Sequence, residues 1–237
     1  MVLGVLLNPA IQLIWNYGLF YGSTHLIQSH SYVCNTMFCI FIVLIGYCRC
    51  MKPLKAELVG LFITTVGVIV MFSDPEAART DGQKGSLLVY SFCLFCAFLA
   101  AFFMLINSFL VTQVPVFTLL LLQASISFTY LVVLVLPLTL GDQYKFWSTD
   151  KYWGAFGFLN KEQLVEGLLA YGLSTGLFGN TGYLACLLFY PPVVVSAFYL
   201  IEPIVSQLIG SAMGIDRFPG ACTWVGTFCV ILGILAL

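Results

Sequence analysis

The sequence predicts an all-α membrane protein of about eight transmembrane helices, arranged as an incomplete inverted repeat of three helices followed by five. Three observations predict it. Of 237 residues, 61% are hydrophobic and 8% charged, with a mean hydropathy of +1.02. A soluble domain would carry about 25% charged and about 45–50% apolar residues, so a core buried in water does not account for the excess. The few charges cluster, leaving apolar runs of membrane-crossing length between them. Finally, a glycine motif near residue 60 returns near residue 226, an odd number of crossings later.

A hydrocarbon core about 30 Å thick is crossed by roughly 17–25 apolar helical residues. Segments of that kind run from Met1 to Tyr21, Ser31 to Cys48, Ala56 to Phe72, Ser86 to Ile106, Pro115 to Leu140, Gln163 to Phe189, Pro192 to Ser211 and Gly220 to Leu237. No charge lies between Lys84 and Asp142, so the fourth and fifth are divided by Asn107, Ser108, Thr112, Gln113 and Pro115. A membrane barrel would alternate polar and apolar residues along short strands, whereas these runs are apolar on every face. The longest polar connection, 141–162, holds Trp147, Tyr152, Trp153, Phe156 and Phe158 and reads as an interfacial loop with an aromatic belt. The expected layout is therefore a partial first repeat over 1–72, a connecting loop over 73–85 and a five-helix second repeat over 86–237.

The repeat is read from three matches in the same order. Gly18-Leu19-Phe20 pairs with Gly176-Leu177-Phe178, and Leu44-Ile45-Gly46 with Leu208-Ile209-Gly210. Leu58-Val59-Gly60, with Gly67, pairs with Trp224-Val225-Gly226, with Gly233, at an offset of 166. The last two motifs sit in the third and eighth segments. Five crossings separate them, so the copies enter the membrane in opposite directions, the plan of many secondary transporters. Glycines seven apart share a helix face, where their small size lets another helix approach closely. Gly172 and Gly176 make a further pair of small residues at helical spacing.

Several function classes drop out. Nine basic against ten acidic residues, net charge −1, lack the basic footprint of nucleic-acid binding. The first charge is Arg49, so neither a secretory signal nor an organellar transit pattern is expected at the start. Nine cysteines is an odd count and most lie in apolar stretches, which argues against a disulfide framework. Cys93-Leu-Phe-Cys96 has redox or metal spacing but no second pair or histidine beside it, and Cys48 and Cys50 flank Arg49 at a membrane edge, as packing residues or acylation sites. Nothing matches a nucleotide-binding loop or a hydrolase constellation, so an enzyme is not expected, nor any cofactor or metal.

Polar residues inside the apolar segments supply the candidate site. Glu202 is the one charge well inside a segment, where a central acid costs about 2.5–3.5 kcal/mol. Ser196, Tyr199, Glu202, Ser206 and Gly210 share one helix face, and Pro203 frees a carbonyl and can bend the helix there. Glu202 reads either as the wall of a cavity, binding a proton or a cationic group, or as a neutral or capped acid holding the bundle together. Gln12 and Asn16 lie one turn apart with Phe20 on the same face, Asn180 pairs with Tyr183, and Gln123 with Ser127 and Tyr130. Each reads as interhelical glue or as part of a converging polar site. His25 and His30 fall near the first turn between segments, as interfacial residues or as a proton relay. The substrate-binding set drawn from these is Gln12, Asn16, Asn180, Tyr183, Tyr199 and Glu202.

Leu58-Val59-Gly60 with Gly67, Glu202-Pro203-Ile204-Val205, and Val225-Gly226 with Gly233 give a chain that resembles the drug/metabolite transporter superfamily, EamA-type. That resemblance implies ten helices in two inverted five-helix halves, of which this sequence looks like helices three to ten. It also implies a multi-pass membrane carrier that moves a small organic metabolite by alternating access, with lipid and solute as its partners. The alternative is a transporter-derived, non-transporting subunit of a larger membrane complex, contacting other membrane subunits; a truncated gene model would instead leave further apolar sequence upstream. The resemblance puts the Arg49 loop and both termini in the cytoplasm. The Lys and Arg count points the other way, with three in that loop against six in the loops opposite.

Overall fold

Backbone amides in hydrocarbon are satisfied within the segment only by a helix. The computed structural model describes residues 2–26, 28–48, 55–74, 86–139, 148–149, 160, 162, 164–199, 202–214 and 219–236, and among them every element is helical. The helices are α1 (Val2–His25), α2 (Gln28–Thr36), α3 (Phe38–Cys48), α4 (Lys55–Phe72), α5 (Leu87–Leu110) and α6 (Val116–Thr139). Then α7 (Leu164–Glu166) runs through a wider-wound stretch over Gly167–Gly179 into α8 (Asn180–Phe189), followed by α9 (Pro192–Phe198), α10 (Glu202–Ala212) and α11 (Ala221–Leu235). The described helices fall within or closely along the eight apolar segments of the sequence. Among the described residues, four stretches are long and apolar enough to cross a membrane: Val2–His25, His30–Cys48, Leu87–Leu110 and Val116–Leu134. Their outward faces stay apolar, with Phe117 70% and Leu87 82% exposed, a distribution that water does not tolerate over contiguous patches and lipid does. This is an all-helical membrane protein.

Local departures from the expected segments have physical causes. The fourth helix runs on to Leu110, because Asn107, expected to break it, turns its side chain into a buried polar cluster. The second segment is interrupted at Met37, where the amide is shared between the carbonyls of Val33 (3.2 Å) and Cys34 (3.3 Å). The seventh holds α9 up to Phe198 and α10 from Glu202, and Leu200 and Ile201 between them lie outside the described residues. The wider winding over 167–179 coincides with four glycines, Gly167, Gly172, Gly176 and Gly179, which favour the tighter α-helix least. Most of the expected connecting loop, 75–85, and the loop aromatics Trp147, Tyr152, Trp153, Phe156 and Phe158 lie outside the described residues, as do Arg49, Cys50, Lys52, Arg79, Lys84, Lys145, Lys151, Lys161 and Arg217.

The chain forms two compact units. One comprises 1–10 with 106–189, the other 11–105 with 190–237. In the first, α6 and α8 pack together, and the start of α1 joins them through Tyr130, whose hydroxyl donates to the Leu6 carbonyl at 3.0 Å. In the second, the core gathers Leu26, Cys34, Phe38, Cys93, Ala97 and Met104, all buried. Trp15 meets Phe38 edge-on at 5.9 Å, leans on Phe103 at 5.5 Å, and donates its indole N–H to Asn35. Cys93 and Cys96 are both free thiols in this core, and the Cys93 thiol donates to the Gly18 carbonyl at 3.8 Å.

The closest helix pair of the second unit is α4 with α11. A methyl at Gly67 would sit 2.7 Å from the Gly226 carbonyl oxygen, and one at Gly233 would sit 2.7 Å from the Gly60 carbonyl oxygen. Gly60 faces Gly233 and Gly67 faces Gly226, so the helices run antiparallel with backbone against backbone, a spacing that only glycine permits.

Candidate functional site

Helix α9 starts on Pro192 and ends at Phe198 after seven residues, with Tyr199 following it. Helix α10 starts on Glu202 with Pro203 in its first turn, where the ring removes only an N–H that has no intrahelical acceptor. The acid therefore stands at the positive end of α10, an arrangement worth about 0.3–1 kcal/mol for the ionised form near a surface. Glu202 and Tyr199 are half-buried. Ser196 is buried, and its hydroxyl is used within α9, donating to the Val193 carbonyl at 2.6 Å. The side chain of Ser206 lies outside the described ones.

The second segment lies alongside. α3 packs on α9 and α2 packs on α10, so the second and seventh segments run antiparallel. Phe38, just after the Met37 interruption, meets the Tyr199 ring edge-on at 5.6 Å, and the Cys39 thiol donates to the Ser196 carbonyl at 3.6 Å. These contacts bring the second segment against α9 next to an acid and a phenol.

The first unit holds a separate polar cluster around Asn107. Its Oδ1 accepts from Asn8 Nδ2 at 2.7 Å and from Gln123 Nε2 at 2.7 Å, while its Nδ2 donates to the Tyr183 hydroxyl at 3.4 Å. Asn8 and Asn107 are completely buried, Gln123 is 5% exposed, and Asn8 Oδ1 has no hydrogen-bond partner. Pro9 follows Asn8 inside α1 and takes one donor out of the helix at that level.

The six residues expected to bind substrate fall in both units. Asn180, half-buried, opens α8 one turn before Tyr183, and Tyr183 enters the Asn107 cluster. In the other unit, Tyr199 follows α9 and Glu202 opens α10, while Gln12 is half-buried and Asn16 exposed on α1. Sequence reasoning missed Asn8, placed Asn107 in a turn, and read Gln123 with Ser127 and Tyr130 rather than across to α5. The signal available was the bare presence of amides in charge-free runs, which carries no pairing information. Among the described residues no group of three or more His, Cys, Asp or Glu is placed to hold a metal ion.

Among the described residues these features define a helical membrane protein with Tyr199 and Glu202 close to the packing of its second segment on its seventh. No family model, curated protein or solved structure matches the chain.

Proposed function

We propose that the chain is a multi-pass carrier-like protein of eight crossings, similar to the drug/metabolite transporter superfamily, that moves a small organic solute by alternating access and without covalent chemistry. The observation that carries this reading is the antiparallel packing of α2 on α10 and of α3 on α9, which sets Phe38 against Tyr199 near Glu202 at the N-terminus of α10. In transporters built from inverted repeats, helix N-termini at the repeat interface hold the solute. The antiparallel packing of the second on the seventh segment, and of the third on the eighth, supports the inverted repeat of 1–72 with the second half, since each pair joins matched copies. In this reading Glu202 and Tyr199 bind the polar end of the solute, with Gln12 and Asn16 of the same unit.

Solute-dependent stabilisation tests it. Screened against small organic metabolites in detergent, one class should raise the unfolding temperature of the purified protein, since a ligand at a hundred times its Kd adds about 2.7 kcal/mol. Glu202→Gln should remove that gain while leaving the unliganded protein folded. A protein that answers to no metabolite and purifies only with stoichiometric membrane subunits would instead be a structural subunit.

A further inference from the structure

At one end of the second unit four side chains from four elements form a single hydrogen-bonded line. Asp74 lies just past the end of α4, Thr223 in the first turn of α11, His30 in α2 and Tyr90 in the first turn of α5. Asp74 Oδ2 accepts from the Thr223 backbone N–H at 2.9 Å and from its hydroxyl at 2.5 Å. The Thr223 oxygen lies 3.5 Å from His30 Nε2, and His30 Nδ1 lies 2.6 Å from the Tyr90 hydroxyl. Asp74 is 8% exposed, and His30 and Thr223 are 1% exposed; Tyr90 is half-buried.

The hydrogens in this line have one consistent arrangement when Asp74 is ionised. A carboxylate only accepts, so the Thr223 hydroxyl gives its hydrogen to Asp74. The Thr223 oxygen can then only accept, so His30 carries its hydrogen on Nε2, and Nδ1 accepts from Tyr90. Every donor points toward Asp74. Through these bonds the half-buried Tyr90 hydroxyl is connected to the buried Asp74 carboxylate.

We propose that the Asp74–Thr223–His30–Tyr90 line is a proton-binding site whose occupancy controls how firmly α11 is capped. A proton arriving at Tyr90 replaces the hydroxyl hydrogen passed to His30 Nδ1. The Nε2 hydrogen moves to the Thr223 oxygen, and the Thr223 hydrogen moves to Asp74 Oδ2. Only O–H and N–H bonds form and break, and one proton is gained in total. Once neutral, Asp74 no longer holds the Thr223 N–H as an anion at the α11 N-terminus, and α11 is the helix locked to α4 through Gly226 and Gly233. The other described titratable side chains on the elements around His30 are Tyr17, Tyr21 and His25 on α1, Tyr32 and Cys34 on α2, Lys55 on α4, Cys93 and Cys96 on α5, Glu202 on α10, and Cys222 and Cys229 on α11. The site stands whether or not the chain carries a solute.

Trp224, next to Thr223, is the reporter. The full chain labelled with fluorotryptophan gives a fluorine resonance for Trp224, assigned with Trp224→Phe, that is followed between about pH 4 and 9 by NMR in micelles. The expected result is one titration step, lost in Asp74→Asn, displaced by about one pH unit or more in His30→Gln, and unchanged in Glu202→Gln. His30→Gln keeps a donor for Thr223 but removes the imidazole between Thr223 and Tyr90, so it tests whether His30 belongs to the proton-binding site even if Asp74→Asn fails to fold. A resonance that does not titrate, a step with its wild-type midpoint in His30→Gln, or a step that vanishes in Glu202→Gln overturns the proposal.

Discussion

Replacing Gly226 by alanine puts one methyl group between two backbones. That methyl would stand 2.5 Å from the Gly67 carbonyl oxygen and 2.7 Å from both the backbone nitrogen and Cβ of Met71, where unstrained contact needs about 3.5–4.0 Å. None of these atoms is the end of a flexible side chain, so α4 and α11 must part by about 1 Å. A gap of that size removes a quarter to a half of the dispersion energy along the contact, and overpacking of this kind costs about 1–3 kcal/mol. With backbone on both sides the upper part of that range applies, about 2–3 kcal/mol. At this chain length each kcal/mol moves the unfolding temperature by about 2–4 °C, so a fall of about 4–12 °C is expected. Gly182→Ala on α8 is the control: the new methyl meets nothing within 4 Å, and replacing a helical glycine should stabilise by about 0.5–1 kcal/mol. The assay is thermal unfolding of both purified variants in the same detergent. Equal unfolding temperatures for Gly226→Ala and Gly182→Ala would refute the close antiparallel packing.

The double variant Gly67→Ala with Gly226→Ala should lose less than the sum of the single losses, because one separation of α4 and α11 relieves both clashes; full additivity in the same assay would contradict this. Asn107→Leu should destabilise the protein by about 1–3 kcal/mol, since it strands the buried amides of Asn8 and Gln123, whereas Tyr183→Phe, at the end of a 3.4 Å bond, should cost about 0.6 kcal/mol or less. Equilibrium unfolding in mixed micelles measures the difference, and a Tyr183 effect as large as that of Asn107 would contradict the hub assignment. Asp74→Ala should cost about 0.5–2 kcal/mol through loss of the cap on α11. Amide exchange at Thr223 should rise with it, and unchanged exchange would remove the cap from the account.

The helical segments were legible because hydrocarbon imposes a length and a composition, and the glycines of α4 and α11 were legible because small residues seven apart mark one face. That Gly60 and Gly67 would meet Gly233 and Gly226 was not written in either helix alone. Pro203 marked the start of α10 in the sequence, whereas the interruption at Met37 has neither proline nor glycine beside it and left no sequence signal. Asn107 shows the limit most clearly. An amide in an apolar run reads as a turn signal, and only the arrival of Asn8, Gln123 and Tyr183 from distant segments lets it stay inside a helix. Asp74 and His30 lay on opposite sides of two segments, and nothing local joined them through Thr223.

Flux across a sealed bilayer tests the carrier reading most directly. The purified chain is reconstituted in liposomes and the uptake of radiolabelled small metabolites is followed, beginning with any class that stabilises the protein in detergent. The account predicts specific, saturable uptake that speeds up when the same solute is preloaded inside, and that Glu202→Gln abolishes while the variant still inserts. Liposomes carrying the folded wild-type chain that take up no metabolite faster than empty ones, or a Glu202→Gln variant that transports as well as wild type, would contradict it.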